Sequence, residues 1–355
     1  SSSSSSSSSL SALAGRLDRV QRLLAAEKAV RRLEHKAFSS GTPLLLRRAS
    51  TAAAAATPSP VSVPLALCQI HVGANKAANL RAARAAVVDA SNRGARVGSL
   101  PECFNSPYDT SCFPKYAEPI PRSAAELDAE ASPSTAMLIA TARECSIYLV
   151  GGSIPERGED GKVYNTCVVV DPNGEIVARH RKMHLFDIDV PGKITFKESD
   201  TLSAGESFTT FDTPYGRVGV GICYDLRFPE QSMLMRAEDC KMLIFPGAFN
   251  MTTGPAHWEL LLRARALDNQ CFVAAVSPAR DETAGYHAWG HSTVVSPWGE
   301  VVATTAHAPD TVFATVDLAQ VEEIRTNIPV SKQKRTDLYE LSKKKKKDKT
   351  RESKL

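Results

Sequence analysis

No Cys-x-x-Cys pair and no metal-ligand spacing occurs among the eight cysteines of this 355-residue chain. Several of them, including Cys68 and Cys167, lie inside apolar strand-like runs. That usage fits a reducing compartment and argues against a disulfide framework. No uninterrupted apolar run approaches the roughly 18 to 20 residues that a membrane span requires. The charge distribution lacks a basic body. Residues 1–60 carry +6 and residues 343–355 carry +6, which leaves −8 for residues 61–342 within a formal total of +4. A nucleic-acid binder gathers positive charge on its folded face, and this chain does the reverse. Neither nucleic acid nor a membrane is the expected partner.

The two ends differ from the middle. Nine serines lead into Leu10–Phe38, whose Arg-rich amphipathic pattern predicts a helix, and a Ser/Ala/Thr/Pro tract follows at Ala49–Pro60. Basic, Ser-rich and poor in acids, residues 1–60 read as an organellar transit peptide, with a disordered extension as the blander alternative. Residues 343–355 predict a solvated basic tail closing in Ser353-Lys354-Leu355, a peroxisomal address. An amino-terminal signal emerges first during synthesis. A mitochondrion or plastid is therefore the expected destination, ahead of the peroxisome or the cytoplasm.

Residues 61–342 contain no internal repeat and no linker, and one domain is expected. Strands are predicted at Val61–Val72, Arg96–Leu100, Ile147–Gly151 and Tyr164–Val170. Phe208–Thr213 and Arg217–Cys223 predict a hairpin turning at Pro214-Tyr215-Gly216. Further strands fall at Lys241–Phe245, Cys271–Ser277, Ser292–Ser296, Val301–Thr305 and Val312–Val316. Helices are predicted at Asn75–Asn92, Pro133–Cys145, Pro229–Cys240 and Ala256–Asn269. This mixture of βα alternation and hairpins predicts a layered α/β fold around a largely buried sheet.

Chemistry concentrates in three segments. The apolar run Arg217–Ile222 ends at Cys223, and Tyr224-Asp225-Leu226-Arg227 follows at once. A strand that stops at a thiol before a helix start places that thiol at an exposed strand end, where open α/β sheets do their chemistry. Alone, such a cysteine is more often a small buried hydrophobe. In Leu100-Pro101-Glu102, a glutamate in semi-apolar surroundings has a raised pKa and shuttles protons near neutrality. Alone, it reads as a solvated loop residue. In Arg181-Lys182, the lysine is either an exposed basic strand end or an ammonium that lowers a thiol pKa and holds an oxyanion. His180 and His184 suggest Cys–His catalysis or a metal, but no second cluster completes either site, and both read as structural.

Together these segments resemble the nitrilase superfamily of carbon–nitrogen hydrolases, whose site is a Glu–Lys–Cys triad in that chain order. The likeness runs over about residues 63–340. It rests on long strings: Phe186–Phe196, Gly247–Asn250 with Thr253–Glu259, and Ala288–Val295 are similar to the omega-amidase branch. The resemblance implies Glu102 as the base, Lys182 as the lysine and Cys223 as the nucleophile. It implies Glu198 as a second glutamate orienting Lys182 or the attacking water. Tyr108, Arg227, Phe249 and Thr253 would grip the substrate's carboxylate and keto end, and the Tyr224 backbone N–H would join Lys182 at the oxyanion. Arg227 also fits on physical grounds, because its planar fork suits a carboxylate. The alternative is a surface arginine paired with Asp225 or Glu230.

The implied fold is a four-layer αββα sandwich, generally paired into a homodimer. The implied substrate is a 2-oxo dicarboxylic acid monoamide such as 2-oxoglutaramate or 2-oxosuccinamate, and no metal or organic cofactor is called for. An N-carbamoyl amidohydrolase or an aliphatic nitrilase is the enzymatic alternative. A non-enzymatic binding paralogue is the least favoured, since it has no use for an intact triad. Two departures stand out: Val97-Gly98-Ser99 replaces the apolar residues usual before Leu-Pro-Glu, so a looser strand is expected there, and residues 109–132 form a variable loop.

Overall fold

The computed structural model describes residues 62–192 and 194–344. The expectations for residues 1–60 and for the terminal Ser353-Lys354-Leu355 lie outside the described residues.

Strand β1 (Ser62–Gln69) sends Val63, Leu65 and Leu67 into one apolar core and Ala66 and Cys68 into another. Side chains alternate across a strand, so two apolar faces mean cover on both sides. β1 pairs antiparallel with β15 (Asp310–Asp317) and parallel with β2 (Val97–Ser99). The sheet continues through β3 (Tyr148–Val150), β5 (Val163–Val170) and β4 (Ile154–Arg157), and β6 (Ile176–Arg181) also pairs with β5. The second sheet runs β14 (Val301–Thr304), β13 (Thr293–Val295), β12 (Phe272–Val276), β11 (Met242–Pro246), β10 (Gly216–Val220), β9 (Thr209–Thr213). A separate hairpin joins β7 (Asp187–Val190) to β8 (Ile194–Lys197).

Helix α1 (Lys76–Asn92) starts where the Asn75 side chain accepts the Ala78 N–H, the usual cap for an orphan amide. It and α3 (Pro133–Cys145) bury Val87, Ala90, Leu138 and Ala142 against one face of the first sheet. A short α2 (Phe113–Tyr116) lies in the connection from β2 to α3. On the other side, α4 (Pro229–Ala237), α5 (Gly254–Asn269) and α6 (Leu318–Asn327) contribute Met235, Trp258, Leu262 and Val321 to the larger core, which the two sheets share. The order helix, sheet, sheet, helix follows from these two cores. Burial of a single Leu65 or Phe245 side chain contributes about 1.5–3 kcal/mol.

The expected strands and helices form close to their anticipated bounds, and β4, β6, the β7–β8 hairpin and α6 add to them. Two expectations are corrected. β10 stops at Val220, and Cys223 opens a 3-10 turn, Cys223–Arg227, instead of ending the strand. Cys223 is buried, 4% exposed, where Gly247 and Ala248 close over the turn. Nor is β2 loose. All three of its residues are buried and it is paired on both sides, while Gly98 leaves room for the Ile147 side chain.

Candidate active site

Glu102 is held at the turn that follows β2. Leu100 N–H donates to Val150 O at 3.0 Å, and Cys103, at φ 51°, donates its N–H to Ser153 Oγ at 3.0 Å. The Glu102 carboxyl, 1% exposed, accepts at Oε1 from Lys182 Nζ (2.9 Å) and from Asn165 Nδ2 (2.9 Å). Oε2 has no hydrogen-bond partner, and the Cys223 thiol lies close enough to the carboxyl to lower its pKa.

Lys182 follows β6, and its backbone N–H donates to Asn165 O at 2.8 Å. It is fully buried, not an exposed strand end. Its ammonium donates to Glu198 Oε1 at 2.8 Å as well as to Glu102. Glu198, just past β8, also takes the Tyr108 hydroxyl at 2.7 Å and, at Oε2, the Phe186 N–H at 2.7 Å. The β7–β8 hairpin thus delivers the second glutamate.

Cys223 sits at φ 47°, a left-handed conformation that costs a non-glycine residue on the order of 1 kcal/mol or more. A Cβ on Gly247 would meet the Cys223 Cα at 3.3 Å, so the next strand end approaches the turn closely. Ala248 N–H donates to Cys223 Sγ at 3.5 Å.

Burial pushes Glu102 above the ordinary carboxylate range; Lys182 opposes that rise and Glu198 adds to it. Burial works against the Lys182 ammonium, but Glu102 and Glu198 outweigh it and hold the group well above the usual lysine value. Burial, then the Glu102 charge, drives the Cys223 thiol well up, and Lys182 only partly offsets this. Lys182 therefore acts on the thiol in the expected direction without winning. The resting site holds a thiol whose proton must be removed as it attacks.

Asp225 organises the surroundings. Its fully buried carboxylate accepts from His180 Nε2 (3.0 Å), His184 Nδ1 (2.7 Å), the His184 N–H (3.0 Å) and the Ile222 N–H (2.9 Å). Burial alone would raise its pKa, but the two imidazoles hold it far below the usual range. The histidines are occupied here, as expected of structural residues. Among the described residues no group of three or more His, Cys, Asp or Glu is placed to hold a metal ion.

The residues expected to grip substrate divide into two groups. Tyr108, with Phe196, Tyr286 and Ala248, lines a cleft of about 540 Å³ that reaches Glu102. Arg227 stands apart from that lining. Its guanidinium lies 4.8 Å from the Phe249 ring and 5.5 Å from the Tyr224 ring, with Nη1 3.2 Å from His257 Nδ1. Among the described residues Arg227 forms no ion pair with any carboxylate, so the pairing with Asp225 or Glu230 is not made. Half-burial pulls its pKa down, and Cys223 and Tyr286 act on it electrostatically. Thr253 precedes α5 and donates its hydroxyl to Asn250 Oδ1 at 3.1 Å. A larger cavity, about 790 Å³, lies among Glu156, Arg179 and Arg181, whose charges are paired with one another and carry none of the triad.

Sequence reasoning missed Asn165, Tyr286 and Ala248. Asn165 left a signal, a polar residue inside the apolar run Val163–Val170. Tyr286, whose ring lies tilted 4.5 Å from that of Tyr108 and which donates to Ala248 O at 2.5 Å, left none.

The family model for carbon-nitrogen hydrolases matches residues 64–326. The chain belongs to the carbon–nitrogen hydrolases. The omega-amidase NIT2 of Bos taurus is 57% identical over 281 residues, spanning 79% of this chain and 98% of that protein. That of Homo sapiens is 55% identical over 284 residues, spanning 80% and 99%. The crystal structure of Saccharomyces cerevisiae Nit3, a member of branch 10 of the nitrilase superfamily, superimposes with a TM-score of 0.71 at 41% identity, covering 79% of this chain and 99% of that one. The resemblance to the nitrilase superfamily and its omega-amidase branch is borne out, and the four layers are the αββα sandwich of that superfamily. As a carbon–nitrogen hydrolase the protein is an amidohydrolase, and its substrate is a small amide.

Proposed function

We propose that this carbon–nitrogen hydrolase is an omega-amidase, releasing ammonia from the terminal amide of 2-oxoglutaramate or 2-oxosuccinamate through a thioester on Cys223. The observation that carries this reading is Arg227, a half-buried guanidinium at the end of the nucleophile's turn with aromatic faces around it and no carboxylate of its own among the described residues. A monoamide of a dicarboxylic acid supplies the missing anion. The high identity to omega-amidases supports the same assignment.

In this mechanism Glu102 Oε2 accepts the thiol proton as Sγ attacks the amide carbon. Lys182 and the Tyr224 backbone N–H hold the resulting oxyanion, the kind of preorganised donor set that stabilises developing charge. The carbon–nitrogen bond breaks as Glu102 returns the proton to nitrogen, and ammonia leaves. Glu102 then takes a proton from water, hydroxide attacks the thioester, and the departing sulfur recovers that proton. A base with a raised pKa is suited to each of these transfers near neutral pH. Glu198 and Tyr108 fix Lys182, while Phe249 and Thr253 border the Arg227 side of the substrate.

Subunit pairing belongs to the same proposal. Leu260 and Leu267 lie seven residues apart on α5, 66% and 57% exposed, forming an apolar stripe suited to a second copy. Sedimentation at micromolar concentration tests this, with a monomer as the contrary result. Function is tested by ammonia release from 2-oxoglutaramate, succinamate, glutamine, N-carbamoyl-β-alanine and a simple nitrile. Preference for the carbamoyl compound or the nitrile would replace the omega-amidase reading.

A further inference from the structure

The two oxygens of Glu102 have different surroundings. Oε1 is saturated by Lys182 Nζ and Asn165 Nδ2, each at 2.9 Å, while Oε2 is buried without a hydrogen-bond partner. Asn165 lies on β5, and its backbone carbonyl also receives the Lys182 N–H at 2.8 Å. One residue therefore fixes the base through its side chain and the lysine through its main chain. Asn165 is 1% exposed, and its own Oδ1 has no partner, so its amide is spent on the single contact to Glu102.

We infer that Asn165 is a positioning residue that pins Oε1 of Glu102 and leaves Oε2 as the oxygen that exchanges protons with Cys223 and water. A carboxylate held by Lys182 alone could turn about its terminal bond and present either oxygen to the ammonium. A second donor on Oε1 removes that freedom. The inference rests on Glu102 being the base, as proposed above. The same contact stabilises the charged form of Glu102, because a hydrogen bond from a neutral donor favours a carboxylate over its acid. The other groups that face Glu102 are Lys182 after β6, Glu198 after β8, Cys223 at the turn after β10, Cys103 and Tyr108 on its own segment, and Tyr286 on the loop between β12 and β13. Among the described residues the Asn165 side chain hydrogen-bonds to none of these other groups, only to Glu102.

The test is Asn165→Leu, close in size, which removes one donor and also one unpaired buried acceptor. The full chain is assayed for kcat/KM against pH on 2-oxoglutaramate and for the rate of Cys223 alkylation by iodoacetamide, a small amide that needs no carboxylate site. A hydrogen bond to a charged group of this kind is equivalent to a shift of about one pH unit. The acid limb of both profiles should move upward by about that amount, so that the rate falls roughly tenfold on the limb and recovers most of its value at higher pH. A uniform fall at every pH, or an unmoved limb, overturns the inference. If the leucine protein does not fold, Asn165→Asp keeps the shape and replaces the donor with an acceptor, and it should move the limb in the same direction. Glu102→Gln separates the two readings. If it leaves the wild-type limb in place, Glu102 is not the base. If it removes the limb while Asn165→Leu does not move it, only the role of Asn165 fails.

Discussion

Asp225 accepts the backbone N–H of His184 at 3.0 Å, and so ties the chain two residues beyond Lys182 to the turn that begins at Cys223. The Ile222 N–H reaches the same carboxylate. The separation of lysine and thiol is therefore set by a third residue with no place in the bond-making steps.

Asp225→Ala should lower stability by about 3 kcal/mol, since it strands the buried His180 imidazole, the partly buried His184 imidazole and two amides. The pH dependence has a definite sign. A carboxylate depressed in the folded state contributes stability that is fully present above about pH 4, its unfolded value, and drains away as pH falls toward the folded one. Urea midpoints for the wild type should fall between pH 4 and pH 2, and those of Asp225→Asn should fall less. Parallel curves would remove Asp225 from the acid response.

Cys223→Ala should abolish turnover and leave the unfolding midpoint nearly unchanged, because the thiol is small and supplies the covalent bond. Mass spectrometry of a substrate-quenched wild-type sample should find the acyl group on the peptide containing Cys223. Cys103 is the neighbour to check. Burial, then the Glu102 and Glu198 charges, hold its thiol well above the usual range. An adduct there would falsify the assignment of the nucleophile.

Glu102→Gln and Lys182→Met should each lose on the order of 10² to 10⁴ in rate, for different reasons. The first removes the proton carrier for both half-reactions. The second leaves Glu102 and Glu198 facing one another without the cation between them, so it should also lower stability by roughly 3–5 kcal/mol. It raises the Cys223 thiol further, and alkylation near neutral pH should slow. Wild-type alkylation in the Lys182→Met protein is the contrary outcome.

Arg227→Ala should raise KM steeply for a monoamide of a dicarboxylic acid, by the equivalent of roughly 2 to 5 kcal/mol for a desolvated charge contact. Neutral amides lacking that carboxylate should change little. Steady-state kinetics on one substrate of each kind decide it, and equal losses would make Arg227 a structural residue of the Tyr224 and Phe249 cluster.

Much of the frame could be read from the chain because it is written in short-range signals. Asn75 announces α1, and the apolar run Tyr164–Val170 announces β5, which begins one residue earlier. Glu102, Lys182 and Cys223 could be named as parts, and the structure brings them together. Long-range placement could not be read. Ile176–Arg181 alternates too weakly to reveal β6, and the strings around Pro191-Gly192 gave a match without revealing the hairpin that carries Glu198. Burial was the other hidden quantity. Lys182 looks like a surface residue until Glu102 and Glu198 enclose it, and burial of the Cys223 thiol, joined by the Glu102 charge, outweighs what the lysine does for it.

The left-handed backbone at Cys223 sets fold and reaction against each other at one position. Glycine adopts that conformation freely, so Cys223→Gly would relax the turn while deleting the reactive group. A library at position 223 selected for thermal resistance alone should enrich glycine, and one selected for turnover should return cysteine. The residue is thus a point where the stability optimum and the catalytic optimum of this chain are different sequences.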